Sequence, residues 1–315
     1  MISGSSDRLK GVACGLVSAF IWGAFPVVTR FGIEHSSLDM HDITFLRYGV
    51  SGLILLPYLL KAGLKGLGWK PIVLMTIGIG APYMLVVSHG LTHAPVESFA
   101  VITPGSMITF SVVGGAYSLK SRLSRRELAG IAAIIAGACL TGYSSFGHLS
   151  VGGPYAWAVF VLGGLMWSIY TVSTKVFSVN SLHATAIVSV FSMLFYFPFY
   201  IVMRGPSLLG APAHEIITQA VYQGILVSTV ALFFYSKAVF YLGPSIGSTF
   251  AALVPGSAVV LAAVVLGEQP GLVSLVGLCV VTLGMVLTLV HRSSPNRTIV
   301  NDTSEHRQPK PAFRD

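Results

Sequence analysis

Five ionisable side chains lie within or at the ends of long apolar stretches: Arg47, His89, His93, Glu97 and Lys237. Charge is costly in apolar surroundings, so each is a candidate for substrate binding or proton transfer. Glu97 follows a proline by two residues, and burial there favours a neutral carboxyl group, so it is a candidate for proton coupling or for binding an amine. The alternative is a solvated or ion-paired carboxylate near a helix end.

The other four residues each allow two interpretations. His89 and His93 are four residues apart and share a helix face, which suits a proton relay or a cavity lining as well as ordinary helix-end hydrogen bonds. A third ligand at suitable spacing is missing from the sequence, so we predict no metal. Arg47 can bind a substrate carboxylate through two hydrogen bonds or serve as a structural arginine. Lys237 can bind an anion or extend its ammonium to the membrane surface.

Four aromatic residues are candidates for lining a substrate pocket: Trp22, Tyr83, Trp167 and Tyr235. Their rings can stack on a ligand or hold a cation over a ring face. Packing or anchoring at the membrane interface is the alternative.

Two Pro-Gly pairs are candidates for hinges or gates: Pro104 with Gly105, and Pro255 with Gly256. Proline inside a helix removes a backbone hydrogen bond, and we expect it to break or kink the helices that contain these pairs near their middles. Broken helices expose backbone polar groups to a transport site.

The common catalytic motifs are absent from the sequence: HExxH, GxSxG and GxxxxGK[ST]. We therefore predict no catalytic residues, no cofactor and no enzymatic activity. An intramembrane enzyme that uses the same Glu, His and Lys residues is the rival interpretation from another class.

The elements that must position these residues are membrane-spanning helices. Charged residues are 10% of the chain and hydrophobic residues 54%, and the mean hydropathy is +0.78, whereas soluble domains carry about 25% charged residues. A span needs about 20 mainly apolar residues. Such runs predict an all-α integral membrane protein with about ten spans, at residues 11–31, 43–60, 71–91, 95–119, 127–145, 154–174, 183–203, 216–240, 245–266 and 271–290.

The placement of Lys and Arg predicts the topology. With the N-terminus in the cytoplasm, most basic residues fall in cytoplasmic segments, and Glu34, Asp39 and Asp42 fall in the first outer loop. Both termini are therefore predicted to be cytoplasmic, in the cell (inner) membrane. The net charge of +8 is explained by orientation, so we predict no nucleic-acid partner.

The two halves of the sequence resemble each other. FIWGAFPVVTRF parallels LMWSIYTVSTKVF, which aligns Trp22 with Trp167. ELAGIAAIIAG parallels SLVGLCVVTLG, which aligns Gly130 with Gly277 and Gly137 with Gly284. Each half holds about five spans, an odd number, so the repeats are predicted to be inverted in the membrane, as in carriers that work by alternating access.

The chain resembles the EamA-type, ten-helix branch of the drug/metabolite transporter superfamily. The resemblance rests on the Trp-containing first span of each half, on FLR at 45–47, on the pair HAPVESFAVITPG and LGPSIGSTFAALVPG, and on LGE at 266–268. The first half departs from the pattern, with Lys120-Ser121-Arg122 where LGE is common. The resemblance implies export of small metabolites, often amino acids, or of toxic compounds.

We therefore predict a cytoplasmic N-terminus (1–10), a first five-helix repeat (11–145), a second five-helix repeat (154–291) and a disordered cytoplasmic tail (292–315). The predicted function is secondary active export of small organic metabolites, amino acids or related compounds, and the alternative within transport is import or exchange of sugars or phosphorylated metabolites. The expected partners are the small-molecule substrate and membrane lipid. The sequence leaves open whether the chain forms a homodimer.

Overall fold

The computed structural model describes residues 5–118, 120, 122–147 and 153–292. Regular structure in these ranges is helical throughout. The predicted tail, 292–315, lies outside them except for its first residue. The α-helices are α1 (Ser5–His35), α2 (Met40–Ala62), α3 (Trp69–Ile79), α4 (Ala81–Leu91), α5 (Val96–Ser118), α6 (Arg125–Gly147), α7 (Gly153–Val176), α8 (Ser181–Arg204), α9 (Ala213–Gln219), α10 (Ala231–Thr249), α11 (Val254–Val265) and α12 (Leu272–Arg292).

Eight helical segments within the described residues are long and apolar enough to cross a membrane. They are α1, α2, α3 with α4, α5, α7, α8, α9 through α10, and α12, and a shorter apolar helix covers Phe250–Val265. The sequence predicted about ten spans. Two predicted spans are not among the eight. One is α6, which begins with charged residues and is rich in Ala and Gly, and the other is α11, which is short.

The start of α2 is fixed by a reciprocal pair of side chains. Asp39 accepts hydrogen bonds from the backbone N–H groups of His41 and Asp42, and the Asp42 side chain accepts one from Asp39 N–H. This capping box satisfies N–H groups that have no partner within the helix. It also fixes Arg47 about 10 Å along the helix axis from the first residue of α2.

Glycine interrupts two of the predicted spans. Gly80 separates α3 from α4, and Gly243 adopts φ 80°, ψ 161° inside α10, a conformation that favours glycine. A π-helical segment at Ala220–Val230 joins α9 to α10. Such wide turns are rare in proteins overall, and those that occur are frequently found at functional sites.

The two Pro-Gly pairs, at which a break or a kink was predicted, differ from each other. Helix α5 runs from Val96 to Ser118 without a break at Pro104. A membrane helix tolerates an internal proline where neighbouring groups satisfy the freed carbonyl. Pro255 lies in the first turn of α11, after a 3-10 turn at Phe250–Leu253, where a helix needs no proline N–H.

Helices α6 and α12 cross at four glycines. A Cβ atom at Gly130 would lie 2.8 Å from the Gly284 carbonyl oxygen, and one at Gly137 would lie 2.6 Å from that of Gly277. The pairing runs in opposite directions along the two helices, so α6 and α12 are antiparallel. Gly130 and Gly137 align in sequence with Gly277 and Gly284, so each glycine meets the sequence counterpart of the other glycine on its own helix.

Other equivalent pairs of helices also contact each other across the halves. Gly23 of α1 lies against Ser257 and the Val254 carbonyl of α11, and Gly164 of α7 lies against Ser106 and the Thr103 carbonyl of α5. Helix α2 packs on α8, and α3 packs on α7 and α8. The first helix of each half thus packs into the other half, and the main hydrophobic core lies between the halves.

Candidate functional site

Arg47 lies in the core between the halves, surrounded by four helical segments. Its Nη1 donates to Gln223 Oε1 at 3.2 Å and approaches Met84 Sδ at 3.9 Å. Its guanidinium carbon lies 4.9 Å from the ring centroid of Phe25 and 5.7 Å from that of Tyr48. We call these five residues the Arg47 cluster. Helices α1, α2 and α4 and the π-helical segment each contribute to it.

Glutamine side chains of the second half continue the polar contacts of this cluster. Gln223 Nε2 donates to Thr29 Oγ1 at 3.0 Å, and Gln219 Nε2 donates to the Val28 carbonyl at 3.0 Å. The extra residue per turn of the π-helical segment shifts the side-chain register there. Both glutamines are buried and point toward α1, so they connect α1 to the π-helical segment.

Two aromatic pairs also connect the two halves. Trp22 of α1 lies 5.3 Å from Tyr235 of α10, and Trp167 of α7 lies 5.6 Å from Tyr83 of α4, measured between ring centroids. Each pair joins the first helix of one half to the third predicted span of the other. Trp22 Nε1 also donates to the Val227 carbonyl at 3.3 Å. The structure thus pairs the four predicted aromatic residues two by two across the halves, and the Arg47 charge acts on Tyr83.

Tyr83 is almost fully buried, with 3% of its surface exposed. Its hydroxyl oxygen finds no hydrogen-bond partner among the described residues. The Arg47 guanidinium acts electrostatically on this hydroxyl and on that of Tyr222. Buried hydroxyls are normally paired, so the Tyr83 hydroxyl retains hydrogen-bonding capacity within reach of the Arg47 charge.

A second charged group lies at the end of the bundle that carries His35, the C-terminus of α1. We call this the upper end. Arg30 contacts Glu268 Oε1 at 2.7 Å, Glu34 Oε1 at 2.8 Å and the Ala94 carbonyl at 2.9 Å. Glu268 also accepts from Val96 N–H at 3.0 and 3.2 Å. This Arg30 cluster joins α1, the start of α5 and the α11–α12 loop.

The environment of Glu268 opposes its negative charge. Burial raises the pKa of its carboxyl above the ordinary value of 4.5, and Arg30 acts against this effect. Removing Arg30 therefore leaves a partly buried carboxylate without its cation, which is costly.

Glu97 lies next to the Arg30 cluster, in the first turn of α5. Its Oε1 accepts from Ser274 Oγ at 3.2 Å, and its Oε2 is buried without a hydrogen-bond partner among the described residues. Glu268 is the nearest charged influence on it. Glu97 is thus separate from Arg47 and belongs to the upper end of the bundle.

Further polar contacts join other helices at the upper end. Arg204 at the end of α8 pairs with Asp39 at 2.6 Å, and Ser37 Oγ donates to Glu215 at 2.6 Å. Tyr200 donates to Asp42 Oδ1 at 2.5 Å. Charged or polar side chains therefore connect the two halves at several points of this end.

His89 and His93 also lie at the upper end, away from Arg47. Their ring centroids are 4.6 Å apart, and the Tyr155 hydroxyl is 3.1 Å from His89 Nε2. His93 is exposed. Among the described residues, no group of three or more His, Cys, Asp or Glu side chains is placed to hold a metal ion.

Lys237 faces away from the core. Its ammonium lies 5.6 and 5.9 Å from the ring centroids of Phe233 and Phe240, both of which are exposed on the helix surface. The hinge candidates are also outside the Arg47 cluster. Gly105 is buried against Ile134, and a Cβ atom at Gly256 would meet nothing within 4 Å.

Sequence reasoning did not single out several residues of these two groups. Gln219 and Gln223 are glutamines in an apolar stretch, a signal that was available. The break at Gly243 precedes a proline, and Gly-Pro is a turn signal. The pairing of Arg30 with Glu268 spans 238 positions, and no local pattern indicates it.

Comparison with known proteins agrees with this architecture. Residues 9–143 and 155–290 each match the EamA-like transporter family. A Bacillus subtilis (strain 168) protein described as an uncharacterized transporter, YetK, is 20% identical over 302 residues, covering 92% of this chain and 90% of that protein. A crystal structure whose title names no function shares the fold, with a TM-score of 0.56, 19% identity, and coverage of 91% of this chain and 98% of that chain. The two matched segments are the halves that meet at Arg47, and the chain belongs to the EamA-like transporter family of multi-pass membrane proteins.

Proposed function

We propose that the protein is a secondary active transporter that exports small organic metabolites, such as amino acids or related compounds, by alternating access. The observation that carries the proposal is the exchange of equivalent contacts between the halves, seen most clearly where Gly130 and Gly137 meet Gly284 and Gly277. Two similar halves in opposite orientation can exchange conformations, and this exposes a site between them to each side in turn.

Ten spans in two inverted repeats are part of this proposal. Helix α6 and the short helix α11 would be the two additional spans, since each packs lengthwise in the bundle, against α12 and against α1 respectively. An antiparallel α6–α12 pair is what inverted repeats require, because these two helices are equivalent in sequence. The positive-inside rule then places both termini in the cytoplasm of a cell whose inner membrane holds the protein.

The upper end faces away from the cytoplasm in this topology. The Arg30 cluster connects α1 of the first half to the α11–α12 loop of the second, directly beside the start of α5. We assign this arrangement to a conformation that is closed on the outer side. The aligned positions at the cytoplasmic end hold basic residues: Lys175, which is exposed, aligns with Arg30, and Lys120-Ser121-Arg122 stands in the place of LGE. The aligned residues at the cytoplasmic end therefore cannot form the equivalent of the Arg30–Glu268 ion pair.

Two other functions are less well supported. Exchange of phosphorylated sugars would require several cations to bind a multiply charged phosphate, and Arg47 is the one cation of the Arg47 cluster. An intramembrane enzyme would require an acid, a base or a nucleophile near the bound substrate. The carboxylates described above lie at the upper end, apart from the Arg47 cluster.

The test is transport by purified protein in proteoliposomes, loaded with each member of a panel of amino acids, amines and sugar phosphates. We expect counterflow of one or more amino acids or related compounds without ATP. Turnover of a lipid or peptide without transport would replace this proposal with the enzymatic one.

Proton coupling through Glu97 is tested in the same vesicles. We expect Glu97→Gln to reduce the transport rate and to flatten its dependence on pH. Ser274→Ala, which removes the hydroxyl that donates to Glu97, is the matched control for the structural contact. Unchanged rate and pH dependence in Glu97→Gln would exclude the coupling role.

A further inference from the structure

We propose that Arg47 is the anion-binding group of the central site and that the transported compounds carry one carboxylate next to an apolar or aromatic body. This inference rests on the proposed transport function and adds the chemical class of the substrate. It follows from the charge, the unpaired hydrogen-bonding atoms and the aromatic residues around Arg47.

Among the described residues, Arg47 has no acidic partner. The ion pairs found among the described residues involve Arg30, Arg204 and Lys10. Arg47 instead contacts an amide, a thioether and two aromatic rings. A cation inside a membrane protein is normally paired, so a guanidinium held by neutral groups is suited to receive an anion from outside the chain.

Hydrogen-bonding capacity at this position remains unused. Arg47 Nε is buried and makes no hydrogen bond within the described part of the chain, and the Tyr83 hydroxyl beside it is likewise unpaired. Arg47 as a whole keeps partial exposure. A carboxylate has two oxygens, which match the two parallel donors of a guanidinium and leave lone pairs for a tyrosine hydroxyl.

The charge at the site selects a monoanion. The Arg47 cluster carries one positive charge, which balances one carboxylate and leaves a phosphate dianion undercompensated. An amine substrate is repelled by Arg47 unless it also carries a carboxylate. The chemistry that fits is a monocarboxylate, including the carboxylate of a zwitterionic amino acid.

The surroundings of Arg47 fit an apolar body on the same molecule. Phe25 and Tyr48 lie against the guanidinium, and Tyr83, on which the Arg47 charge acts, pairs with Trp167 of the second half. Aromatic side chains give large apolar contact with defined geometry. Residues from both halves thus contact such a ligand at once, as a site for alternating access requires.

The experiment measures ligand-induced thermal stabilisation of the purified full-length protein in detergent. The probes share one skeleton and differ in one group: phenylacetate, phenylacetamide, phenethylamine and phenyl phosphate, with phenylalanine and phenylalaninamide as a second pair. We expect each carboxylate to bind at least about 30-fold more tightly than its amide, because a lost charge pair of this kind costs about 2 kcal/mol or more. The proposal is overturned if acid and amide bind equally, if the amine or the phosphate binds more tightly than the carboxylate, or if no carboxylate stabilises the protein.

Variants then assign the preference to Arg47. We expect Arg47→Gln to remove the difference between acid and amide and Arg47→Lys to retain part of it. Lys61→Gln, which removes an exposed cation from the other end of α2, should leave the difference unchanged. A full preference retained in Arg47→Gln overturns the assignment. If that variant does not fold, Tyr83→Phe serves instead, and it must weaken carboxylate binding without weakening that of the amide.

The outcomes distinguish failure of the carboxylate site from failure of the proposed transport function. Transport of amines or neutral compounds that is unaffected in Arg47→Lys leaves the transporter in place and overturns the carboxylate site. Carboxylate binding without transport of any panel member supports the site and contradicts the transport function.

Discussion

Replacing Arg30 by Gln should open the upper end of the bundle. The change removes two ion pairs, at 2.7 and 2.8 Å, and the hydrogen bond to Ala94. Hydrogen bonds to charged groups contribute about 1.5–3 kcal/mol, and exposed ion pairs contribute about 0–1 kcal/mol. The Arg30 and Glu268 side chains are 20% and 16% exposed, so we expect a loss of about 1–2 kcal/mol from the closed conformation. The population of the open conformation then rises about 5- to 30-fold.

The assay is labelling of a buried cysteine from the outer side. The three native cysteines, Cys14, Cys139 and Cys279, are first replaced, and Ser98 is changed to Cys. Ser98 is 4% exposed and lies two residues after Val96, whose N–H binds Glu268. A membrane-impermeant maleimide should therefore reach it only when this end opens.

Lys10→Gln is the control for Arg30→Gln. Lys10→Gln breaks an exposed pair of 3.4 Å with Asp7 on the same helix, at its other end, and should leave labelling unchanged. A labelling rate in Arg30→Gln within about twofold of the parent, in a folded protein, would show that the ion pairs do not keep this end closed.

Two further outcomes are expected. Burial outweighs the Arg30 charge and raises the pKa of Glu268 above 4.5, so the closed conformation binds a proton more tightly than a hydrated open one. Closure is therefore most favoured below pH 4.5 and weakens as the pH rises through the raised value. Above that pH Glu268 is ionised, and Arg30 then offsets part of the cost of burying the carboxylate, which is the contribution that Arg30→Gln removes. The same labelling rate, normalised to unfolded protein, should fall on acidification, and Glu268→Gln should lose this dependence; a dependence that persists in the variant would contradict the assignment. Gly137→Ala places a methyl group 2.6 Å from the Gly277 carbonyl oxygen and should destabilise the fold by about 1–3 kcal/mol, measured as a lower Tm. Gly256→Ala, where a Cβ meets nothing within 4 Å, should leave Tm unchanged, and equal Tm values for the two variants would contradict the proposed crossing.

Much of the architecture follows from patterns that are local in the sequence. Apolar runs predicted where most helices lie, because a span must satisfy its own backbone hydrogen bonds. The glycines of ELAGIAAIIAG and SLVGLCVVTLG were aligned by sequence, and the structure places these helices in direct contact at those glycines. Trp22, Tyr83, Trp167 and Tyr235 were candidates for lining one pocket. The structure pairs Trp22 with Tyr235 and Tyr83 with Trp167, and their role in a pocket stays a prediction.

The remaining features depend on contacts between distant segments. Whether Arg47 has an acidic partner is decided by which side chains of α4 and the π-helical segment point toward it. The placement of Glu97 with the Arg30 cluster depends on the α11–α12 loop, which is remote in sequence. No sequence pattern predicts the π-helical segment, because its extra residue per turn is stabilised by packing.

The measurement that tests the central claim most directly is a pair of distances in the same protein, obtained by electron spin resonance of spin labels in proteoliposomes. One label pair is placed at the upper end, on Thr92 and Leu209, and the other at the opposite end, on Lys61 and Lys175, all of which are exposed. Alternating access predicts that a change which favours the open upper end, such as Arg30→Gln, lengthens the first distance and shortens the second. Distances that change together, or that stay constant while transport is measured, would contradict the account.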